Sequence, residues 1–329
     1  MSKVAVIQTA FHGDVILCTP MFESLKSAGH EVVAVVRPQA ELLIRRNPFL
    51  DNIILYDKHM GVPAFLRAVY ELRRTNCDIS LSVQRYLKSA ILPIYADIPK
   101  RVGFTNSQVR TLYTDEVVYD RSRHEVERCL ALCEGISQTS GFSPRIEITG
   151  EDLAEAGSFL NKHHIDFENF VVMAPGSIWA TKRWGHFREL AELVTDTFNC
   201  DVVLLGSRQD YEVCLDVSKV DKAVCLAGET NLLQSAAIIR MARLAITNDS
   251  APGHIAAAVN TPVVSIFGPT VPSFGFTPYT DKVEIVENKG LYCRPCSSHG
   301  PMKCPEKHFR CMKEITPQQV LHACEKFLS

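Results

Sequence analysis

Residues 244–267 read LAITNDSAPGHIAAAVNTPVVSIF, and this stretch decides the fold. Its two apolar runs, 244–247 and 263–267, have the length and composition of buried strands. The helix predicted over 252–259 opens on Pro252, whose missing N–H costs nothing in a first turn. Behind it, Ala256, Ala257 and Ala258 let that helix pack tightly on a sheet. Two strands joined through a helix run parallel, since a parallel pair needs a long crossover.

The same alternation extends in both directions. In the second half, strands are predicted at 170–174, 202–205 and 223–226, with helices at 187–198, 211–217 and 231–241. In the first half, strands fall at 4–7, 31–36, 52–55 and 78–83, and helices at 14–28, 38–46 and 63–74. Repeated β-α alternation gives a parallel sheet covered by helices on both faces. Two doubly wound, Rossmann-like α/β domains in series, 1–150 and 151–329, account for the pattern. A last helix is predicted over 317–328.

Composition limits what such a chain does. Its 329 residues are 46% apolar and 22% charged, which excludes disordered and fibrous architectures. A net charge of −2 argues against nucleic acid as a partner. No run of 18 apolar residues is present, so no membrane span is expected. Met1 to Gln8 leads straight into a strand-like run with only Lys3 ahead of it. No signal peptide is therefore expected, and a reducing cytoplasm fits the 12 cysteines better than a disulfide framework. The charge is uneven: residues 37–110 hold 12 basic and 6 acidic side chains. That stretch is either a solvated face or a docking surface for an anionic partner.

Ligands of open α/β sheets lie outside the carboxyl ends of the strands, so the turns after strands carry the information. The first, ending in Gly13-Asp14, offers a flexible backbone and a carboxylate that is either a helix cap or a general base. It is no dinucleotide fingerprint, since G-x-G-x-x-G is absent. The second, 174–184, presents Gly176 and Ser177, then Thr181, Lys182 and Arg183 between two tryptophans. Exposed amides, hydroxyls and two cations in one turn suit a diphosphate. The third, Asn248-Asp249-Ser250 before Pro252 and His254, places helix-terminal amides and a hydroxyl toward an anion. Asp249 there accepts sugar hydroxyls or orients a donor group, and His254 is either structural or a donor to a leaving phosphate. A fourth, Phe267-Gly268-Pro269-Thr270, is a turn ending in a hydroxyl. Together these turns describe a cleft for a nucleoside diphosphate.

Taken in order, Gly13-Asp14, Pro175-Gly176-Ser177 with Lys182-Arg183-Trp184, Asn248-Asp249-Ser250 with His254, and Phe267-Gly268-Pro269-Thr270 resemble the heptosyltransferases of glycosyltransferase family 9. The resemblance implies a GT-B fold, two Rossmann-like domains facing a central cleft, the first binding acceptor and the second binding the nucleotide-sugar donor. It implies inverting, metal-independent transfer of a heptose from ADP-heptose to a lipid-linked lipopolysaccharide inner-core acceptor, at the cytoplasmic face of the inner membrane. Asp14 matches the family's proposed base, and Lys182 the lysine on the donor phosphates. Asp249, Ser250 and His254 match the loop around diphosphate and sugar. Asp210 falls where a family acid meets the ribose, and Thr230 on the loop beside the adenine. Two other readings stay open: a heptosyltransferase modifying a protein or another glycan, and a non-catalytic nucleotide-sugar or metal-binding module.

Four of the cysteines stand apart. Cys293, Cys296, Cys304 and Cys311 are spaced C-x2-C-x7-C-x6-C, with His299 and His308 among them. Such a set suits a structural zinc or iron, or else is a reduced thiol cluster. Similar cysteines hold iron in one branch of the family that the sequence resembles.

Overall fold

Val4, Ala5, Val6 and Ile7 are all buried, and a strand apolar at every position belongs inside a sheet covered on both faces. The computed structural model, which describes all 329 residues, places β1 (Lys3–Gln8) in that position. Around it lie β2 (Glu31–Val36), β3 (Asn52–Leu55), β4 (Ile79–Ser82), β5 (Lys100–Phe104) and β6 (Asp115–Val117). Their order is β3-β2-β1-β4-β5-β6, every neighbouring pair parallel. The order reverses direction between β1 and β4, and the carboxyl ends of these two strands flank the crevice where such sheets bind ligands.

The second sheet repeats the plan with β7 (Phe170–Ala174), β8 (Asp201–Leu204), β9 (Ala223–Cys225), β10 (Ala245–Asn248), β11 (Val263–Phe267) and β12 (Val283–Glu287). Its order is β12-β11-β10-β7-β8-β9, again all parallel, with the switch between β10 and β7. Val171, Met173, Val202, Leu204, Ile246 and Val264 form its core, with Trp184 and Phe187 beneath. The first unit spans Met1–Glu147 and the second Ile148–Ser329. Helix Gly150–Lys162 opens the second, with Thr149 and Asp152 bonding reciprocally across its first turn. No helix is long and apolar enough to cross a membrane.

Several elements differ from expectation. The first helix begins at His12, with Phe11 in the cap position, so Asp14 is its third residue and not its cap. The helix expected over 38–46 breaks into a 3-10 turn, Pro38–Ala40, and a short helix, Glu41–Ile44. Strands β5, β6 and β12 were not anticipated. The outer two are edge strands, with charged residues in Asp115-Glu116 and an alternating Val-Glu-Ile-Val-Glu run. Strands of this kind carry no continuous apolar signal.

Candidate active site

In the first unit the turn after β1 carries Asp14, half-buried in the first turn of helix His12–Ser27. Burial pushes its carboxyl above the ordinary range, offset in part by the amides of Phe11 and Asp14 and by Lys58 and Arg85. Those cations come from the same edge: Lys58 follows β3, and Arg85 follows β4. Arg37, after β2, pushes the Lys58 ammonium down, second to burial. The carboxyl ends of four parallel strands thus deliver one acid among several cations.

A buried polar network stands behind this edge. The Arg85 guanidinium lies 4.2 Å from the centroid of the Tyr119 ring, within cation–π range. Tyr119 donates its hydroxyl hydrogen to Glu125 at 2.8 Å, and Arg128 meets the same carboxylate at 2.6 Å. Glu125 and Arg128 are 7% and 2% exposed, so neither charge is solvated and each depends on the other. Burial raises the Glu125 carboxyl; Tyr119 and Arg128 hold it down, and Asp14 pushes it up.

In the second unit, Asn248 at the end of β10 organises the loop after β7. Its amide donates to the Pro175 carbonyl at 2.8 Å, and its oxygen accepts the Trp184 amide at 3.1 Å. Lys182 is thereby held beside the next turn, where its Nζ is 2.6 Å from Asp249 Oδ2. Thr270, after β11, donates its hydroxyl to the same oxygen at 2.6 Å. Three successive strand ends therefore converge on one carboxylate.

The remaining candidates take varied roles. Arg183 donates Nε to the Ser177 carbonyl at 2.7 Å, closing its own loop. Ser250 directs its hydroxyl back to the Asn248 carbonyl at 3.3 Å and does not cap the helix Ala251–Ala258. His254 is buried on that helix. Asp210 bonds the Ser207 amide and hydroxyl, and its carboxyl packs on Gly176. A Cβ at position 176 would lie 2.2 Å from that carboxyl, so only glycine permits the approach. Thr230 shares a hydrogen bond with Ser235 at 2.8 Å. Gly13 is buried beside Asp14 in the first unit.

The cysteine segment packs on the same edge. Thr181 donates its hydroxyl to the Pro301 carbonyl, and Trp179 stacks on His299. Cys293, Cys296, Cys304 and Cys311 share one electrostatic neighbourhood, burial and the other thiols pushing Cys311 up to about 11. Cys293 Sγ is 3.9 Å from His308 Nε2. As they stand, no three His, Cys, Asp or Glu side chains are arranged to hold a metal ion.

Asn248, Thr270 and Arg294, and in the first unit Lys58, Arg85, Tyr119, Glu125 and Arg128, were not among the candidates. Lys58 and Arg85 carried a signal, since both lie in the basic 37–110 stretch. Asn248 sat inside a motif read for other residues, and Thr270 was noted only as the hydroxyl that ends its turn. Tyr119, Glu125 and Arg128 lie close in sequence, Glu125 and Arg128 one helical turn apart, but nothing singled them out among the other charged residues of 120–128.

Two Rossmann-like sheets, one with an acid among cations and the other with a lysine in a Gly-Ser loop, define a glycosyltransferase of the GT-B class. The model of Glycosyltransferase family 9 (heptosyltransferase) matches residues 65–308, and the chain belongs to that family. It is 27% identical to lipopolysaccharide heptosyltransferase 2 of Escherichia coli (strain K12), covering 99% of this chain and 98% of the relative. It is 25% identical to lipopolysaccharide heptosyltransferase 3 of the same organism, over 97% and 96%. The family 9 glycosyltransferase structure from Veillonella parvula superposes with a TM-score of 0.88 at 24% identity, over 99% of this chain and 97% of that one. The E. coli ADP-heptose heptosyltransferase II structure gives 0.81 at 24%, over 100% and 98%.

Proposed function

We propose that this glycosyltransferase moves a heptose from ADP-heptose to an inner-core sugar of lipopolysaccharide, with inversion. The observation that carries the reading is the convergence of Lys182, Asp249 and Thr270 at the carboxyl edge of the second sheet. Lys182 and the amides of the Gly176-Ser177 turn take the diphosphate, and Asp249 orients Lys182 and the sugar. Arg183 and Thr181 shape the loop, Ser250 and His254 line the next turn, and Asp210 and Thr230 flank the nucleoside.

In the transfer step Asp14 accepts the proton of the acceptor hydroxyl as its oxygen forms a bond to the anomeric carbon. The bond from that carbon to the phosphate oxygen breaks with its electrons, and ADP leaves. An oxocarbenium-like transition state places growing charge on the leaving diphosphate, where a fixed cation is worth most. Lys182 supplies that charge, so no metal is assigned to the reaction centre. Inversion requires attack opposite the leaving group. The cations around Asp14 suit a phosphorylated, lipid-linked acceptor, which supports the reading that the enzyme works at the cytoplasmic face of the inner membrane.

The Cys293, Cys296, Cys304 and Cys311 set is proposed as a structural zinc or iron site only if its side chains turn inward and lose their protons. Elemental analysis of purified protein decides this; less than a trace of either metal leaves a reduced thiol cluster. The activity is tested by offering ADP-heptose and UDP-sugars with lipopolysaccharide core and with protein acceptors. Turnover confined to ADP-heptose and core glycan supports the reading, and transfer to protein alone overturns the acceptor.

A further inference from the structure

The segment that carries the first cysteine pair also carries Arg294, and nothing in the transfer step so far uses it. Arg294 is 3% exposed and pairs at 2.9 Å with Glu287, at the end of edge strand β12. Its Nη2 donates to the Thr270 carbonyl at 2.7 Å and reaches the Phe267 carbonyl at 3.4 Å, while Nη1 donates to the Asn288 carbonyl. One planar fork thus spans the turn after β11 and fixes it to β12, a task the single ammonium of lysine cannot perform.

The fixed turn has one polar side chain aimed at the donor edge. Thr270 donates to Asp249 Oδ2, the oxygen that also meets Lys182. The same segment also packs against the lysine stem. Gly300, at φ +82°, passes so near that a Cβ there would lie 3.3 Å from Lys182 Cγ.

We propose that Thr270 and Arg294 are positioning residues for the donor diphosphate, acting through Asp249 to set where Lys182 Nζ stands. The proposal rests on the donor reading given above. A carboxylate beside a phosphate-binding lysine competes with the phosphate for it. Donation from Thr270 satisfies part of that carboxylate, so Asp249 orients Lys182 without capturing it. Arg294 keeps the Thr270 backbone where the donation is possible.

The test uses the full-length protein, ADP titration by calorimetry, and donor KM and kcat measured separately. Thr270→Val keeps the shape and removes the donor; it weakens ADP binding about tenfold, the scale of a lost hydrogen bond to a charged group. Thr270→Ser restores most of the loss. In a Lys182→Ala background Thr270→Val costs nothing further, because its effect runs through the lysine. Arg294→Lys reproduces the Thr270→Val defect; if it melts early, the threonine series decides alone. Unchanged or tighter ADP binding by Thr270→Val, or a full additive loss in the Lys182→Ala background, overturns the relay. A wild-type protein that binds no ADP overturns the donor reading itself, a distinct result from a wild type that binds and a Thr270→Val protein that binds equally.

Discussion

Lys182 Nζ and Asp249 Oδ2 stand 2.6 Å apart, 12% and 9% exposed, so the lysine is already oriented at the second sheet's carboxyl edge before any anion arrives. Removing the amine leaves Asp249 with Thr270 alone and places a bare carboxylate against the diphosphate. Lys182→Ala is expected to weaken ADP affinity at least tenfold, more than Lys182→Arg. Calorimetry with ADP checks this; equal affinity removes Lys182 from the donor site.

Asp14 belongs to the other unit and is expected to act on chemistry alone. Asp14→Asn should lower kcat about 10²–10⁴-fold, the usual worth of a positioned base, with ADP affinity unchanged. Parallel loss of turnover and ADP binding would remove the base assignment.

The pH profile carries a sign. Burial raises the Asp14 pKa, and the base works only when deprotonated, so kcat/KM should fall as pH drops through a value above the ordinary carboxylate range. Arg85 opposes that rise. Arg85→Met should therefore move the acid limb to higher pH, and an unmoved or lowered limb would contradict the placement of Arg85.

The Glu125–Arg128 pair tests the support behind Asp14. Either alanine substitution strands a buried charge and is expected to cost about 3–5 kcal/mol of stability. Urea unfolding should show an earlier midpoint for both single variants. The double variant should lose less than the two losses combined. Strict additivity would mean the charges do not depend on each other.

Gly176→Ala should be disproportionately harmful for a single methyl. The added carbon meets the Asp210 carboxyl, which Ser207 holds in place. A lower melting temperature with weakened ADP binding is expected; retention of both would mean that Asp210 moves aside freely.

The strand-turn-helix rhythm was legible because buried parallel strands are continuous apolar runs, and the ends of β1, β7, β10 and β11 followed directly. That is why Asp14, Lys182 and Asp249 could be singled out from sequence. Edge strands β6 and β12 were not legible, since a half-wet strand has a mixed composition. Of the two readings of Asp14, the helix cap does not hold, because Phe11, three residues earlier, occupies that position without a capping side chain. The partners were the least visible part. Thr270 and Lys182 meet on Asp249 only because loops from different strands end at one edge, and no local pattern records that.

The bonds from Thr181 to Pro301 and from the Trp184 indole to the Ile315 carbonyl span 120 and 131 residues. Synthesis runs from the amino end, so the Gly-Ser loop emerges from the ribosome long before the chain that shapes it. A nascent chain that ends between β8 and β12 therefore carries Lys182 before Pro301 and Ile315 exist to hold its loop.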